Sequence, residues 1–214
     1  MEKVTTLCSV ALPLDMDNLD TDQLMPKQFL HGIDKAGLDK GLFYNLRFGS
    51  DGKPDPSCVF NKPGFEAAKI IVAGPNFGCG SSREHAVWGL MQYGIRVVIA
   101  SGFGEIFYSN CFNNGLLAAR VTAEDSRKIF DRISDTTPTE ITVDLAKETI
   151  TVKDLVVKFS IAPRHKTMLA EGLDMIDATL KDLDAIEAFR AEHEKAFPWM
   201  TGLAGKWRRN RDAK

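Results

Sequence analysis

The feature that most constrains the fold of this chain is a regular alternation of short apolar runs and helix-like segments between residues 69 and 121. The apolar runs are KIIVAG (69–74), RVVIA (96–100) and LLAARV (116–121). The segments between them, about Arg83–Tyr93 and Glu105–Asn113, have the patterns of helices. The order strand, helix, strand, helix, strand predicts a parallel sheet with right-handed crossovers.

The pattern changes after this parallel region. Thr122 is expected to cap a helix that runs through Ile133, with Asp125 as its partner three residues on. Three short runs then alternate with turns, which predicts an antiparallel meander. They are EITVDL (140–145), ETITV (148–152) and LVVKFSI (155–161).

The two ends of the chain add one strand and several helices. VTTLCSVAL (4–12) has the composition of a first strand, and helical patterns cover about 164–170, 175–180 and 182–196. Residues 32–64 are rich in Gly, Pro, Asp and Asn, and only one short helix is expected there, near 42–48. We expect one domain over residues 1–200, with 32–64 as a long loop, and a basic tail at 201–214.

Composition excludes several classes of function. A formal net charge of -2 over 214 residues gives no reason to expect binding to nucleic acid or to a membrane surface. No stretch approaches the roughly 20 apolar residues that a membrane helix needs. The first residues, MEKVTTLCSVALPLDMD, do not resemble a signal peptide. A cytoplasmic location is expected.

The cysteines argue against a metal or disulfide centre made by this chain alone. Cys8, Cys58, Cys79 and Cys111 are far apart, and no C-x-x-C pair is present. Iron–sulfur and zinc sites usually use closely spaced cysteines. A disulfide framework is typical of small secreted domains. No metal or cofactor is therefore expected to be bound by this chain.

The chemistry is expected in GPNFGCGSSREHAVWGL, residues 74–90, where a strand ends and a helix begins. Backbone N–H groups and the helix dipole favour anions at such a junction. Gly78 and Gly80 permit a tight backbone with positive φ. Ser81 and Ser82 add hydroxyls, and Arg83 adds a fork for a carboxylate. The segment predicts a carboxylate or phosphate site, with a purely structural glycine turn and serine cap as the alternative.

NFGCGSSREHA resembles the signature of the mobile swivel domain of the aconitase superfamily. Three further segments resemble isopropylmalate isomerase small subunits in the same order and at similar spacing, so the resemblance covers roughly residues 5–195. They are NLDTDQLMPKQFL (18–30), IFYSNCFNNGLL (106–117) and AEGLDMIDATL (170–180). The resemblance implies an α/β fold, a three-layer β/β/α swivelling domain with a parallel central sheet and antiparallel strands.

The resemblance also implies a hydro-lyase that acts only with a large subunit. Family members remove water from a small hydroxy-dicarboxylate and add it back at the neighbouring carbon. A [4Fe–4S] cluster, held by cysteines of the separate large subunit, acts as the Lewis acid. By similarity Ser81 is the base that takes the carbon-bound proton, while Ser82 and Arg83 hold a substrate carboxylate.

The segment before the motif contributes further candidate site residues. Thr21 and Asp22 match a Thr-Asp pair of the family's active site, so Asp22 is expected to be catalytic by orienting a neighbouring site group and Thr21 to contact the substrate. Related archaeal subunits carry Y-L-R where this chain has Phe29-Leu30-His31. His31 is therefore a candidate for recognition of the substrate's variable arm.

The resemblance and the residues together leave three interpretations. The leading one is isomerisation of 2- and 3-isopropylmalate in leucine biosynthesis. A dehydratase for another dicarboxylate, such as homoaconitate or a methylated malate, is the nearest alternative, because the Y-L-R arginine is absent and APRHKTM (162–168) also departs from the family pattern. The role of Arg164 and His165 in that stretch is left open. A non-catalytic module that binds an anion is the third.

Overall fold

A computed structural model describes residues 1–30, 35–81, 83–203, 205 and 207. They belong to two compact units, one from Met1 to Asp174 and one that begins at Met175. The expected domain over 1–200 and the tail at 201–214 stay predictions, and most of that tail lies outside the described residues.

The first unit contains a seven-stranded sheet in the order β4-β3-β2-β1-β5-β6-β7. Its strand β1 joins two different halves: Ala11–Leu14 pairs parallel with β2, whereas Thr6–Val10 pairs antiparallel with β5. The predicted parallel sheet and antiparallel meander are both confirmed, and they are halves of a single sheet. The strands are β1 Thr6–Leu14, β2 Ile70–Ala73, β3 Val97–Ala100, β4 Leu117–Arg120, β5 Glu140–Asp144, β6 Thr149–Val152 and β7 Leu155–Lys158.

The helices lie largely where the patterns predict them. The α-helices are α1 Thr21–Leu24, α2 Tyr44–Arg47, α3 His85–Tyr93, α4 Glu105–Asn114, α5 Ala123–Phe130, α6 Pro163–Glu171, α7 Met175–Leu180 and α8 Leu183–Ala196. The Thr122 hydroxyl accepts a hydrogen bond from the Asp125 N–H at 3.0 Å, which confirms the predicted cap. Helix α5 ends at Phe130, three residues before the predicted end.

The two halves of the sheet bury their side chains differently. Every residue of β2 and β3 is buried, because both faces of the parallel half are covered. In β5 and β6 burial alternates: Ile141, Val143, Ile150 and Val152 are buried, while their neighbours along the strand are partly or fully exposed. One face of the antiparallel half therefore lies on the core and the other does not.

The described part of the segment expected to be a long loop is more ordered than the sequence predicts. Residues 35–64 contain helix α2 and two short 3-10 helices, Leu38–Lys40 and Val59–Asn61. Leu42, Phe43 and Phe60 from this segment are buried in the core, and the Phe43 and Phe60 rings lie 4.9 Å apart. Isolated apolar residues without helical or strand periodicity do not reveal such burial in advance.

The second unit consists of α7, α8 and a 3-10 helix at Pro198–Met200. None of its described residues in α7 or α8 is buried. Its large exposed apolar side chains are Met175, Ile176, Leu180, Leu183, Ile186, Phe189, Phe197, Trp199, Met200, Leu203 and Trp207.

Candidate active site

The motif forms a turn between the carboxyl end of β2 and the start of α3. Residues Asn76, Gly78 and Gly80 have φ values of 58°, 71° and 87°, so every second residue in this stretch has a left-handed backbone. Such alternation aligns neighbouring backbone N–H groups into a concave surface that favours anions. We call residues 74–84 the site turn.

Gly78 is required for steric reasons as well as for its φ. A Cβ atom at this position would lie 2.3 Å from Cγ of Phe107 on α4. At Gly80 the nearest atom to such a Cβ would be 3.6 Å away, so only the backbone conformation requires glycine there. The turn is therefore pressed against α4 at Gly78 and open at Gly80.

Backbone hydrogen bonds fasten the site turn on both sides. The Gly78 N–H donates to the Leu19 carbonyl at 2.7 Å, and the Cys79 carbonyl accepts from the Thr21 N–H at 3.0 Å. On the other side the Phe77 carbonyl accepts from the Gly104 N–H at 2.9 Å. These bonds hold the turn between the chain that follows β1 and the chain that follows β3.

Ser81 is exposed, and its backbone is held by a hydrogen bond from the buried side chain of Thr21. The Thr21 side chain is 1% exposed, and its hydroxyl donates to the Ser81 carbonyl at 3.0 Å. The hydroxyl of Thr21 is thus used inside the protein, so contact between Thr21 and substrate stays a prediction. Its observed contact positions the residue predicted to be the base.

Asp22 and Arg83 form an ion pair across the site. Nη1 of Arg83 donates to Oδ1 of Asp22, and the two side chains are 22% and 48% exposed. Asp22 is placed by helix α1, which begins with a reciprocal cap between Asp20 and Gln23. Although 61 residues separate Asp22 from Arg83, the structure brings these two side chains together.

Two predicted site residues cannot be placed. Ser82 and His31 lie outside the described residues, so their roles stay predictions. Cys79, within the motif, is partly buried, and its thiol lies 3.4 Å from the Asn18 carbonyl. Asn18 also accepts from the Asn76 side chain at 2.8 Å, which ties the start of the turn to the chain after β1.

Sequence reasoning missed a hydrogen-bonded group beneath the motif. The Asn114 side-chain amide donates to Oε1 of Glu84 at 2.6 Å and accepts from Nε1 of Trp88 at 3.0 Å. Glu84 is the residue that precedes α3, and Asn114 is the last residue of α4. The position of Asn114 before Gly115 indicates only the end of a helix, so no signal in the sequence points to its contacts with Glu84 and Trp88.

His165, whose role the sequence left open, packs against α4. Its ring stacks on Phe112 with 4.0 Å between the centroids and 10° between the planes. Burial lowers the pKa of His165, and the nearby positive charge of Arg164 lowers it further. The arrangement favours a neutral packed imidazole, while Arg164 itself is exposed.

The described residues do not fit an iron–sulfur cluster. Among them no group of three or more His, Cys, Asp or Glu side chains could hold a metal ion. Cys8 is exposed on β1, whereas Cys111 is buried in α4, where burial raises the pKa of its thiol well above the ordinary value. Within the same described ranges, no helix is both long and apolar enough to cross a membrane.

Comparison with known proteins places the chain in a family. The model of the Aconitase C-terminal domain matches residues 1–124. A Chromobacterium violaceum protein named 3-isopropylmalate dehydratase small subunit 1 is 55% identical over 200 residues, which cover 94% of each chain. A Rhodopseudomonas palustris protein named 3-isopropylmalate dehydratase small subunit is 49% identical and is covered completely, over 92% of this chain.

A solved structure supports the same assignment. The crystal structure of a 3-isopropylmalate dehydratase from Methanocaldococcus jannaschii superposes with a TM-score of 0.63 at 28% identity, covering 86% of this chain and 99% of that one. The fold class predicted from the resemblance is confirmed by these matches. By its sequence, its fold and the segment that forms the site turn, the chain belongs to the family of 3-isopropylmalate dehydratase small subunits, which carry the Aconitase C-terminal domain.

Proposed function

We propose that this chain is the small subunit of a hydro-lyase that interconverts 2- and 3-isopropylmalate by dehydration and rehydration in leucine biosynthesis. The observation that carries the proposal is the contact between the segments that follow β1 and β2, where Thr21 donates to the Ser81 carbonyl and Arg83 pairs with Asp22, in a chain that belongs to this family. A cytoplasmic location accompanies this proposal as an expectation.

Ser81 is assigned the role of base. As an alkoxide its Oγ takes the proton from the carbon next to the one that bears the hydroxyl. The electron pair of that C–H bond becomes the second bond of the carbon–carbon double bond, as the C–O bond breaks and hydroxide leaves with its electron pair. A serine alkoxide needs a positive field, and the start of α3 and the Arg83 guanidinium supply one.

Arg83 and Ser82 are assigned to a carboxylate of the substrate. Arg83 carries five N–H donors, and within the described part of the chain only Nη1 is engaged by Asp22. The remaining donors suit a second carboxylate in a planar geometry. Asp22 then keeps the guanidinium in place before the substrate arrives, which is a positioning role that matches its predicted contribution to catalysis.

The proposed partner is a large subunit that carries the [4Fe–4S] cluster. Among the described residues, which include all four cysteines, no arrangement fits a cluster, and the relatives are named small subunits. The cluster of the partner would supply the Lewis acid for the departing hydroxyl. The small dicarboxylate would be bound between the two proteins, with the site turn facing the partner.

The test is reconstitution. This chain is co-expressed with a candidate large subunit, the cluster is rebuilt without oxygen, and the ultraviolet absorbance of the unsaturated intermediate is followed from either isopropylmalate. Activity is expected only in the mixture. Ser81→Ala should lower kcat by roughly 1,000-fold with assembly intact, as expected for loss of a general base. Ser109→Ala, at an exposed serine of α4, is the matched control.

Different failures have different meanings. A well-formed complex without activity on isopropylmalate would reject the leucine assignment and favour another dicarboxylate, such as homoaconitate or a methylated malate. Full activity in Ser81→Ala would reject Ser81 as the base. Tight binding of a dicarboxylate by the isolated chain, with no activity in any mixture, would favour the non-catalytic binding module.

A further inference from the structure

One side-chain amide on α3 holds two backbone groups of the segment that precedes α2. Oε1 of Gln92 accepts from the Leu38 N–H at 2.9 Å, and Nε2 of Gln92 donates to the Lys35 carbonyl. Leu38 is itself buried. Residues 35–38 are therefore held by the same helix whose first turn follows the site turn.

A second contact lies one helical turn earlier on the same face. Nζ of Lys35 lies 4.1 Å from the centroid of the Trp88 ring, a cation–π contact. Residues four apart face the same side of a helix, so Trp88 and Gln92 form one continuous surface. We call Trp88 and Gln92 the α3 clamp.

The α3 clamp is connected to the site turn through Asn114. The Trp88 indole N–H donates to Asn114 at 3.0 Å, and Asn114 donates to Glu84 at 2.6 Å. Glu84 directly follows Arg83 in the chain. The orientation of Trp88 and the start of α3 are thus fixed by one shared asparagine.

Gly89, between the two clamp residues, lets another site segment approach α3. A Cβ at Gly89 would lie 2.2 Å from Cε of Met25 and 3.5 Å from the Leu38 carbonyl oxygen. Met25 directly follows α1, the helix that contains Thr21 and Asp22. Helix α3 therefore contacts the segment of Thr21 and Asp22 and the segment 35–38 at neighbouring positions.

We propose that Trp88, Gln92 and Asn114 are positioning residues that hold residues 35–38 at a fixed distance from Ser81 and Arg83, and so set selectivity for the variable arm of the dicarboxylate. The inference rests on the proposed function, in which the stretch of sequence near His31 is the candidate for recognition of that arm. The α3 clamp contacts residues 35–38 directly and the site turn through Asn114, and its effect on the substrate passes through both.

The first test needs no substrate. Hydrogen exchange of the Leu38 amide is measured in the isolated full chain. Gln92→Leu removes the acceptor and should accelerate exchange about tenfold, since a hydrogen bond of this kind is lost. Gln92→Glu keeps an acceptor for Leu38 and removes the donor to Lys35, so it should accelerate exchange less than Gln92→Leu. Exchange unchanged in Gln92→Leu would overturn the clamp.

The second test measures selectivity in the reconstituted complex. The ratio of kcat/KM for isopropylmalate to that for a malate with a smaller alkyl arm should fall roughly fivefold in Gln92→Leu and in Trp88→Phe, mainly through KM. Trp88→Phe keeps an aromatic ring, although a smaller one, and loses the N–H that donates to Asn114. The matched control is Trp199→Phe, at an exposed tryptophan of the second unit, which should leave the ratio unchanged.

The two tests separate the inference from the proposed function. Faster exchange of the Leu38 amide with an unchanged selectivity ratio would overturn the role of the α3 clamp in selectivity. Residues 35–38 would then have been released with no effect on the choice of substrate. An inactive wild-type complex on isopropylmalate would instead reject the proposed function. In that case the ratio of kcat/KM values is measured on the dicarboxylates that the complex does turn over. The exchange of the Leu38 amide still tests whether Gln92 holds residues 35–38.

Discussion

The parallel and antiparallel halves of the sheet share strand β1. They differ in whether the ends of their strands bring distant segments of the chain together. In the parallel half, β1 and β2 run side by side, and the chain leaves both at the same edge. The segments that follow meet there, as shown by the bridge between Asp20 and Cys79. In the antiparallel half, β5, β6 and β7 reverse direction at tight turns, where Glu148 and Lys153 have positive φ.

The difference explains where the site residues lie. Thr21 and Asp22 follow β1, and Ser81 and Arg83 follow β2, so all the described site candidates come from the parallel half. Parallel strands collect their carboxyl ends at one edge, whereas neighbouring antiparallel strands send theirs to opposite edges. The candidate site therefore depends on the backbone geometry of turns in the parallel half. The antiparallel half contributes buried apolar side chains to the core.

The largest effect is expected where the turn is most crowded. Gly78→Ala should lower the free energy of unfolding by about 3 kcal/mol, because it adds backbone strain to a clash with Phe107. Gly80→Ala, which has the strain without the clash, should cost about 1 kcal/mol. Urea unfolding of the full chain measures the loss of unfolding free energy in each of the two variants. Equal losses in the two variants would show that crowding against α4 does not shape the turn.

A smaller effect is expected from the hydrogen bond beneath Ser81. Thr21→Val keeps the shape of the side chain but removes the donor to the Ser81 carbonyl, so stability should fall by about 1.5 kcal/mol. The kcat of the reconstituted complex should fall with it, because Ser81 loses its support. Thr21→Ser retains the hydroxyl and is the control. Wild-type activity in Thr21→Val would show that the position of Ser81 does not depend on Thr21.

In the antiparallel half a core substitution should affect stability alone. Ile150 is fully buried on β6, and Ile150→Val should lower the free energy of unfolding by about 1 kcal/mol. The kcat and KM of the complex should stay at the wild-type values, measured at a temperature where both proteins are folded. A change in KM would mean that the two halves are coupled in function, and that the site does not depend on the parallel half alone.

The smallest effect is expected from His165, which packs on α4 of the parallel half. Because burial lowers its pKa in the folded protein, the unfolded chain takes up this proton more readily below pH 6.5. The stability contributed by neutral His165 is thus complete above pH 6.5 and is lost as pH falls toward the lower folded pKa. His165→Gln should flatten stability against pH in this window, by urea unfolding at several pH values. An unchanged slope would contradict a partly buried, neutral imidazole.

The sequence predicts the regular elements well because their signals are local. The buried runs at 69–74 and 96–100 contain β2 and β3, and Thr122 marks the start of α5 through its own hydroxyl. The segment 32–64 is predicted less well, since Leu42, Phe43 and Phe60 reach the core without any regular spacing. Their burial is decided by neighbours that are distant in the chain.

What the sequence by itself determined is the chemistry of the turn: glycines that permit a left-handed backbone, serine hydroxyls and an arginine at the start of a helix. Only the tertiary structure decided what meets that turn. Thr21 lies 60 residues from Ser81, and Asn114 lies 30 residues from Glu84, yet each pair is joined by a hydrogen bond. The backbone conformation at Gly78 follows from its residue type, whereas these pairings follow from the placement of β1 beside β2 and of α4 beside α3.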